Sequence, residues 1–195
     1  MKDNLLRLIL ISFDILAIYT SILLAYLLRV LFDGYFAAPV IGDITHYTYE
    51  FIVYIVVVMT FISIGIYKHR HDFWEETYLI LKSLTLSLIL LLSVLALSKS
   101  MGNYSRFILI TSFVFMALLI PVVKFILKKK LSVFGIWNRN AEVISSDSNI
   151  TDEIFGNKYL GYVKSSHKNS DIVFMDTQGI PKEEIESKLL SLSYE

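Results

Sequence analysis

A chain of 195 residues that is 55% hydrophobic and 18% charged, with a mean hydropathy of +0.59, has the composition of an integral membrane protein. It contains no cysteine, which excludes a disulfide-stapled secreted domain and a Cys-ligated zinc or iron-sulfur site, and its apolar content excludes a disordered chain. The formal net charge is zero, yet residues 1–130 hold 12 Lys and Arg against 8 Asp and Glu, while residues 131–195 hold 6 against 10. This asymmetry predicts a basic membrane domain over 1–130 joined to an acidic α/β domain over 131–195. The expected partner of the first is the lipid bilayer, and no nucleic acid is expected.

A helix that crosses the hydrocarbon core needs about 20 mostly apolar residues. Four stretches meet this, at about 8–32, 49–67, 78–97 and 107–127. The first has too long an apolar run for a cleaved signal peptide and leads into a turn at Asp33-Gly34-Tyr35-Phe36. Lys2, Arg7, Lys68, Arg70, Lys124, Lys128, Lys129, Lys130 and Arg139 fall on one side of the predicted spans. The other side has Lys99 and Arg106, and the first loop has neither Lys nor Arg. Because positive loops are retained inside, both termini are expected in the cytoplasm. Tyr35, Tyr47, Tyr49, Tyr67, Trp74, Tyr104 and Trp137 lie near span ends, where amphipathic rings are expected at headgroup level.

Within the first span, Asp14, Ala17, Ser21, Ala25 and Arg29 share a stripe of about 120° on a helical projection. Small residues at this spacing let helices approach closely, so the stripe should face other helices. Asp14 and Arg29 stand about 22 Å apart along the axis, so each needs its own partner. Asp14 is expected to anchor the bundle by hydrogen bonds, and Arg29 to extend to the outer headgroups. A transport role finds little support in the other spans, whose polar residues are Ser, Thr and Tyr apart from Lys82 and Lys124 near their ends. Pro121 in the fourth span removes a helical donor and should kink that helix. His69, His71, Asp72, Glu75 and Glu76 before the third span have metal-ligand chemistry, but their mixing with Lys68, Arg70, Phe73 and Trp74 favours a turn at headgroup level.

Beyond Lys130 the pattern changes. Strands are predicted at 141–145, 159–164 and 171–176, with a short helix over 151–157 and a second helix opening near Pro181. This order begins a doubly wound domain. The turn after the first strand, Ser145-Ser146-Asp147-Ser148-Asn149, has no glycine and carries an acid where a pyrophosphate would sit, which argues against a dinucleotide site. With about 60 residues and a one-sided core, the domain is expected to need a partner or a continuation.

Several of these features resemble the N-terminal region of large bacterial polyprenyl-phosphate hexose-1-phosphate transferases. They are four spans with Asp14 and Arg29 in the first, Phe73-Trp74-Glu75-Glu76 before the third, Tyr104-Ser105-Arg106 opening the fourth, and a degenerate Rossmann-like tail. The resemblance implies an inner-membrane protein of the system that moves a hexose phosphate from a UDP-sugar to undecaprenyl phosphate and so initiates O-antigen, capsule or exopolysaccharide assembly. In that family an Asp-Glu pair and a magnesium ion act in a C-terminal catalytic domain, which would lie beyond Glu195. No catalytic, cofactor or metal residue is therefore carried over. Asp14, Arg29, Tyr104, Ser105, Arg106 and Pro121 are expected to be structural membrane positions. The chain is expected to anchor and link, inactive alone, with a catalytic transferase domain or a second copy of itself as partner.

Two other readings compete. The N-terminal region of a membrane-bound nucleotide-sugar dehydratase or epimerase has a similar set of spans, but it requires a Gly-rich turn, which is not found, and a Tyr-xxx-Lys pair, for which Tyr159 to Lys164 has the wrong spacing. A non-enzymatic membrane scaffold for polysaccharide assembly requires a separate catalytic partner.

Overall fold

The computed structural model of the protein describes residues 2–36, 42–48, 50–97, 105–145, 148–165 and 170–175. They fall into two compact units, Met1–Ile136 and Trp137–Glu195. The chain is mostly helical. It has four helices long and apolar enough to cross a membrane, together with a small three-stranded parallel sheet.

In the first unit, α1 spans Lys2–Leu31 and leads through a 3-10 turn at Asp33–Tyr35 to a short α2, Ile44–Thr48. Next come α3 (Phe51–Ile64), α4 (Phe73–Leu97) and α5 (Arg106–Val133). The long helices form a four-membered ring in which α1 packs on α3 and α5, and α4 packs on the same two. The second apolar segment, expected as one span over 49–67, is set back toward the start of the chain: α2 lies wholly before residue 49, and α3 stops at Ile64.

Gly65 causes that stop. Its φ of +85° is a left-handed conformation that side chains resist; its N–H donates to the Ile62 carbonyl at 3.0 Å, and Ile66 N–H donates to Phe61 at 3.1 Å. This double bond pattern closes a helix with a left-handed residue. Gly135 (φ +69°) ends α5 in the same way, with Gly135 N–H on Ser132 and Ile136 N–H on Leu131, both at 3.0 Å. Pro121 is buried inside α5, which runs through it as one helix.

Apolar side chains cover the outer faces of the bundle, among them Leu16, Leu27, Ile55, Met59, Ile89 and Leu118, each at least half exposed. The interior is closed by Ile18, Phe61, Ile80, Leu91, Met116 and Ile120, all essentially inaccessible. The stripe on α1 is buried along its full length, from Asp14 through Ala17, Ser21 and Ala25 to Arg29. Midway through the bundle, the hydroxyls of Thr60 on α3 and Ser87 on α4 share a hydrogen bond at 2.5 Å. With two protons for three contacts, one hydroxyl donates to the other, and the accepting one donates to its own helix, Thr60 to Val57 or Ser87 to Ser83. Hydroxyls in an apolar bundle are satisfied this way without leaving the helix.

In the second unit, β1 (Arg139–Ile144) is central, with β2 (Tyr162–Lys164) on one side and β3 (Ile172–Met175) on the other, all parallel. α6 (Ser148–Gly156) connects β1 to β2. The order β2-β1-β3 differs from that of a dinucleotide-binding half, in which the third strand lies beyond the second; it matches the other common doubly wound order. Ala141 is fully buried at the middle of β1, and the Tyr162 and Phe174 rings meet edge-on at 5.0 Å. Tyr159–Gly161, expected as strand, forms the turn that follows α6: Asn157 accepts from the N–H groups of Leu160 and Gly161, and its side chain from Tyr159 N–H. The helix predicted near Pro181 and residues 146 and 147 of the Ser145–Asn149 turn lie outside the described residues, while Ser148 and Asn149 open α6.

The expected aromatic belt is only partly realised. Tyr35 and Trp74 are largely exposed. Trp137 instead belongs to the α/β unit, where it is buried and its indole N–H donates to the Tyr159 carbonyl at 2.8 Å. Tyr47 and Tyr67 are also buried, because each hydroxyl has a partner inside the bundle.

Candidate functional site

The densest chemistry of the molecule is a buried ionic network at the end of the bundle where α1 begins and α5 finishes. Four elements contribute to it. Asp14 comes from α1, Tyr67 from the turn between α3 and α4, Glu76 from the first turn of α4, and Lys124 and Lys128 from α5.

Tyr67 donates its hydroxyl to Asp14 Oδ2 at 2.6 Å, and Lys124 Nζ stands 3.1 Å from the same oxygen. Lys124 Nζ is also 3.5 Å from Glu76 Oε1, and Lys128 donates to Glu76 Oε2. Two carboxylates and two ammonium groups thus balance in a space closed to solvent: Asp14 is 0% exposed, and Glu76, Lys124 and Lys128 are each 1% exposed. The Lys124 ammonium further lies 4.7 Å from the Tyr67 ring centre and 5.5 Å from that of Phe61, where the negative faces of the rings attract it. A single charge at this depth would be costly, and pairing offsets part of the desolvation.

Helical periodicity explains how these groups meet. On α5 the buried positions Phe113, Met116, Ile120, Lys124, Leu127, Lys128 and Leu131 recur every three or four residues, so the two lysines stand one turn apart on the inner face. On α4, Glu76 opens the buried series Ile80, Ser83, Ser87, Leu91 and Leu95. The Gly65 stop turns the chain so that Tyr67 points back into the bundle at the level of Asp14.

Glu76 therefore does not join the histidines of its loop. Adjacent residues on a helix point about 100° apart, and it is Glu75 that faces His71, with Oε2 at 3.1 Å from Nδ1. The His69 and His71 ring centres are 6.1 Å apart, and among the described residues no group of three His, Asp or Glu could hold a metal ion.

The other residues singled out from the sequence lie elsewhere. Arg29, at the opposite end of α1, does not extend outward: its Nη1 is 2.6 Å from Asp33 Oδ1, and its guanidinium lies 3.9 Å over the Phe36 ring, leaving it 4% exposed. A carboxylate one turn further on and an adjacent ring satisfy the cation where it stands, so it folds back. Phe36 in turn meets Phe107 of α5 edge-on at 4.9 Å. Ser105 N–H donates to the Tyr47 hydroxyl at 3.2 Å, tying the start of α5 to α2. Arg106 is exposed at the first position of α5, and Tyr104 lies outside the described residues.

Sequence reasoning found Asp14 and its need for a partner but did not identify Tyr67, Glu76, Lys124 or Lys128 as that set. The signal was present in the apolar periodicity of α4 and α5, which places Glu76 and Lys124 on the inward stripe. What the arrangement can do is hold three helices and the turn between α3 and α4 in one register. It presents no exposed nucleophile, and its charges are spent on each other. In sequence, the chain matches no family model and no curated protein.

Proposed function

We propose that this chain is the membrane-anchoring and linker region of an undecaprenyl-phosphate hexose-1-phosphate transferase system that initiates O-antigen, capsule or exopolysaccharide synthesis. In this reading the four long helices cross the bacterial inner membrane, both ends of the chain face the cytoplasm, and the α/β unit is a small, degenerate doubly wound domain that links the anchor to a catalytic transferase domain. The chain has no phosphotransferase activity of its own.

The observation that carries the reading is the meeting of two separate sequence features on which the family resemblance rests. Asp14 of the first span and Glu76 of the Phe73-Trp74-Glu75-Glu76 segment are bridged by Lys124. A charge-balanced network closed to solvent serves anchoring better than turnover, since a catalytic carboxylate must reach its substrate. The basic residues Lys68, Lys129 and Lys130 stand exposed near this end, as expected of the cytoplasmic side.

Two measurements test the proposal together. The purified chain, given UDP-hexose and undecaprenyl phosphate, is expected to release no UMP. Deletion of its gene is expected to lower the cellular pool of polyprenyl-diphosphate-linked hexose. UMP release by the chain alone, or an unchanged lipid-linked pool after deletion, would overturn it.

A further inference from the structure

The ionic network balances its own charges, and that leaves the cations around it without a counter-charge. Lys68 directly follows Tyr67, and Lys129 and Lys130 directly follow Lys128, so each lies beside the network in the chain. All three are exposed, and none has an ion pair among the described residues. The acids of this end are engaged elsewhere. Asp14 and Glu76 face Lys124 and Lys128 inside the bundle, Glu75 faces His71 at 3.1 Å, and Asp72 accepts from the Trp74 N–H at 3.5 Å.

Bare apolar side chains accompany these cations. Val133 follows Lys129 by one turn and Phe134 follows Lys130 by one turn, the second pair still joined by the Phe134 N–H donating to the Lys130 carbonyl at 3.1 Å. Val133 is 78% exposed, Phe134 75%, and Trp74, at the start of α4 on the same end, 76%. The 28 residues of α5 cover about 42 Å, which exceeds the hydrocarbon core of about 30 Å and matches the core together with its headgroup layers. The last turn of α5 therefore reaches headgroup depth. An ammonium group one turn from an unburied apolar side chain suits that layer, where the apolar group meets the acyl boundary and the ammonium a phosphate.

We infer that this end of the bundle is a docking surface for anionic phospholipid, with the headgroup phosphates on Lys68, Lys129 and Lys130 and with Trp74, Val133 and Phe134 at the acyl boundary. The inference rests on the reading that the four long helices cross a bilayer and is independent of any link to sugar transfer. Charge selects the lipid. A zwitterionic headgroup brings an ammonium of its own beside three that already lack a counter-ion, whereas an anionic headgroup supplies the missing charge.

The test is native mass spectrometry of the full chain, extracted from membranes and exchanged into detergent that holds equal amounts of phosphatidylglycerol, phosphatidylethanolamine and undecaprenyl phosphate. Phosphatidylglycerol is expected to be retained in preference to the other two, and the preference is expected to fall as ionic strength rises. A lysine near an anionic surface contributes about fivefold, so the combined variant Lys68→Gln, Lys129→Gln and Lys130→Gln is expected to lower the preference at least about tenfold. Arginine at the same three positions preserves the charge and is expected to preserve the preference. Arg106→Gln, exposed at the opposite end of α5, is expected to leave it unchanged. Equal retention of phosphatidylglycerol and phosphatidylethanolamine, or preference for either of the other lipids, would overturn the inference. So would a preference that survives the glutamine variant, disappears in the arginine variant or falls as far with Arg106→Gln. Recovery of the chain from the membrane fraction, scored separately, distinguishes this failure from failure of the membrane reading itself.

Discussion

Replacing Asp14 by Leu is expected to destabilise the bundle by about 3–5 kcal/mol, the cost of leaving one member of a buried ion pair without its counter-charge. Lys124 would remain 1% exposed, with Glu76 at 3.5 Å as its remaining carboxylate in this network and Lys128 competing for it. The Tyr67 hydroxyl would lose its acceptor as well. Lys124→Met is expected to cost a comparable amount by stranding Asp14. The double substitution Asp14→Leu with Lys124→Met removes both charges and leaves Glu76 and Lys128 balanced. Its cost should fall to about 1–3 kcal/mol, mainly the orphaned phenol. Reversible unfolding in mixed micelles, followed by helical circular dichroism, measures all three. Strictly additive losses in the double variant would show that the pair is not coupled.

Glu76 serves two cations, and its loss is expected to be the more damaging change on the other side of the network. Glu76→Leu leaves Lys128 and Lys124 together beside Asp14, so two ammonium groups share one carboxylate in a closed space. A loss of at least about 3–5 kcal/mol is expected. Lys128→Met, by contrast, leaves Glu76 with Lys124 and should cost less. Combining Glu76→Leu with Lys128→Met restores one anion to one cation and should recover much of the loss. The amount of folded chain recovered from membranes, together with its unfolding midpoint, ranks the variants. A larger defect for Lys128→Met than for Glu76→Leu would contradict the assignment of Glu76 as the shared anion.

Much of this architecture is legible in the sequence, and the unread parts have physical reasons. The four apolar segments stand out by their length and by how few charges they hold, and each appears as a helix, though the second is shortened by Gly65 and divided from α2. The α1 stripe from Asp14 to Arg29 follows from helical spacing and is buried as such spacing requires. The strands were located within a few residues, but the sheet order was not, because nothing local tells β3 to pair with β1 rather than β2.

The network was missed for a different reason. Lys124 and Glu76 lie near the ends of their apolar runs, where charged side chains ordinarily reach out to the headgroups. Only the juxtaposition of α1, α4 and α5 gives each a partner close enough to keep it inside. Tyr67 was read as a belt residue on the same ground; its acceptor is 53 positions away in sequence. Trp137 was drawn to the membrane by its nearness to α5, whereas Gly135 ends that helix and releases the indole into the α/β unit.

We propose that the four long helices cross a membrane in alternation, with the ionic network at the end that carries both the start of α1 and the finish of α5. Because the chain has no cysteine, a single introduced thiol reports its own side without background. The most direct measurement labels Lys68→Cys, Lys130→Cys and Tyr35→Cys, one at a time, with a membrane-impermeant maleimide in sealed vesicles of known orientation. Lys68→Cys and Lys130→Cys are expected to react from one side, the cytoplasmic one, and Tyr35→Cys from the other. Labelling of Lys68→Cys and Tyr35→Cys from the same side would contradict the account.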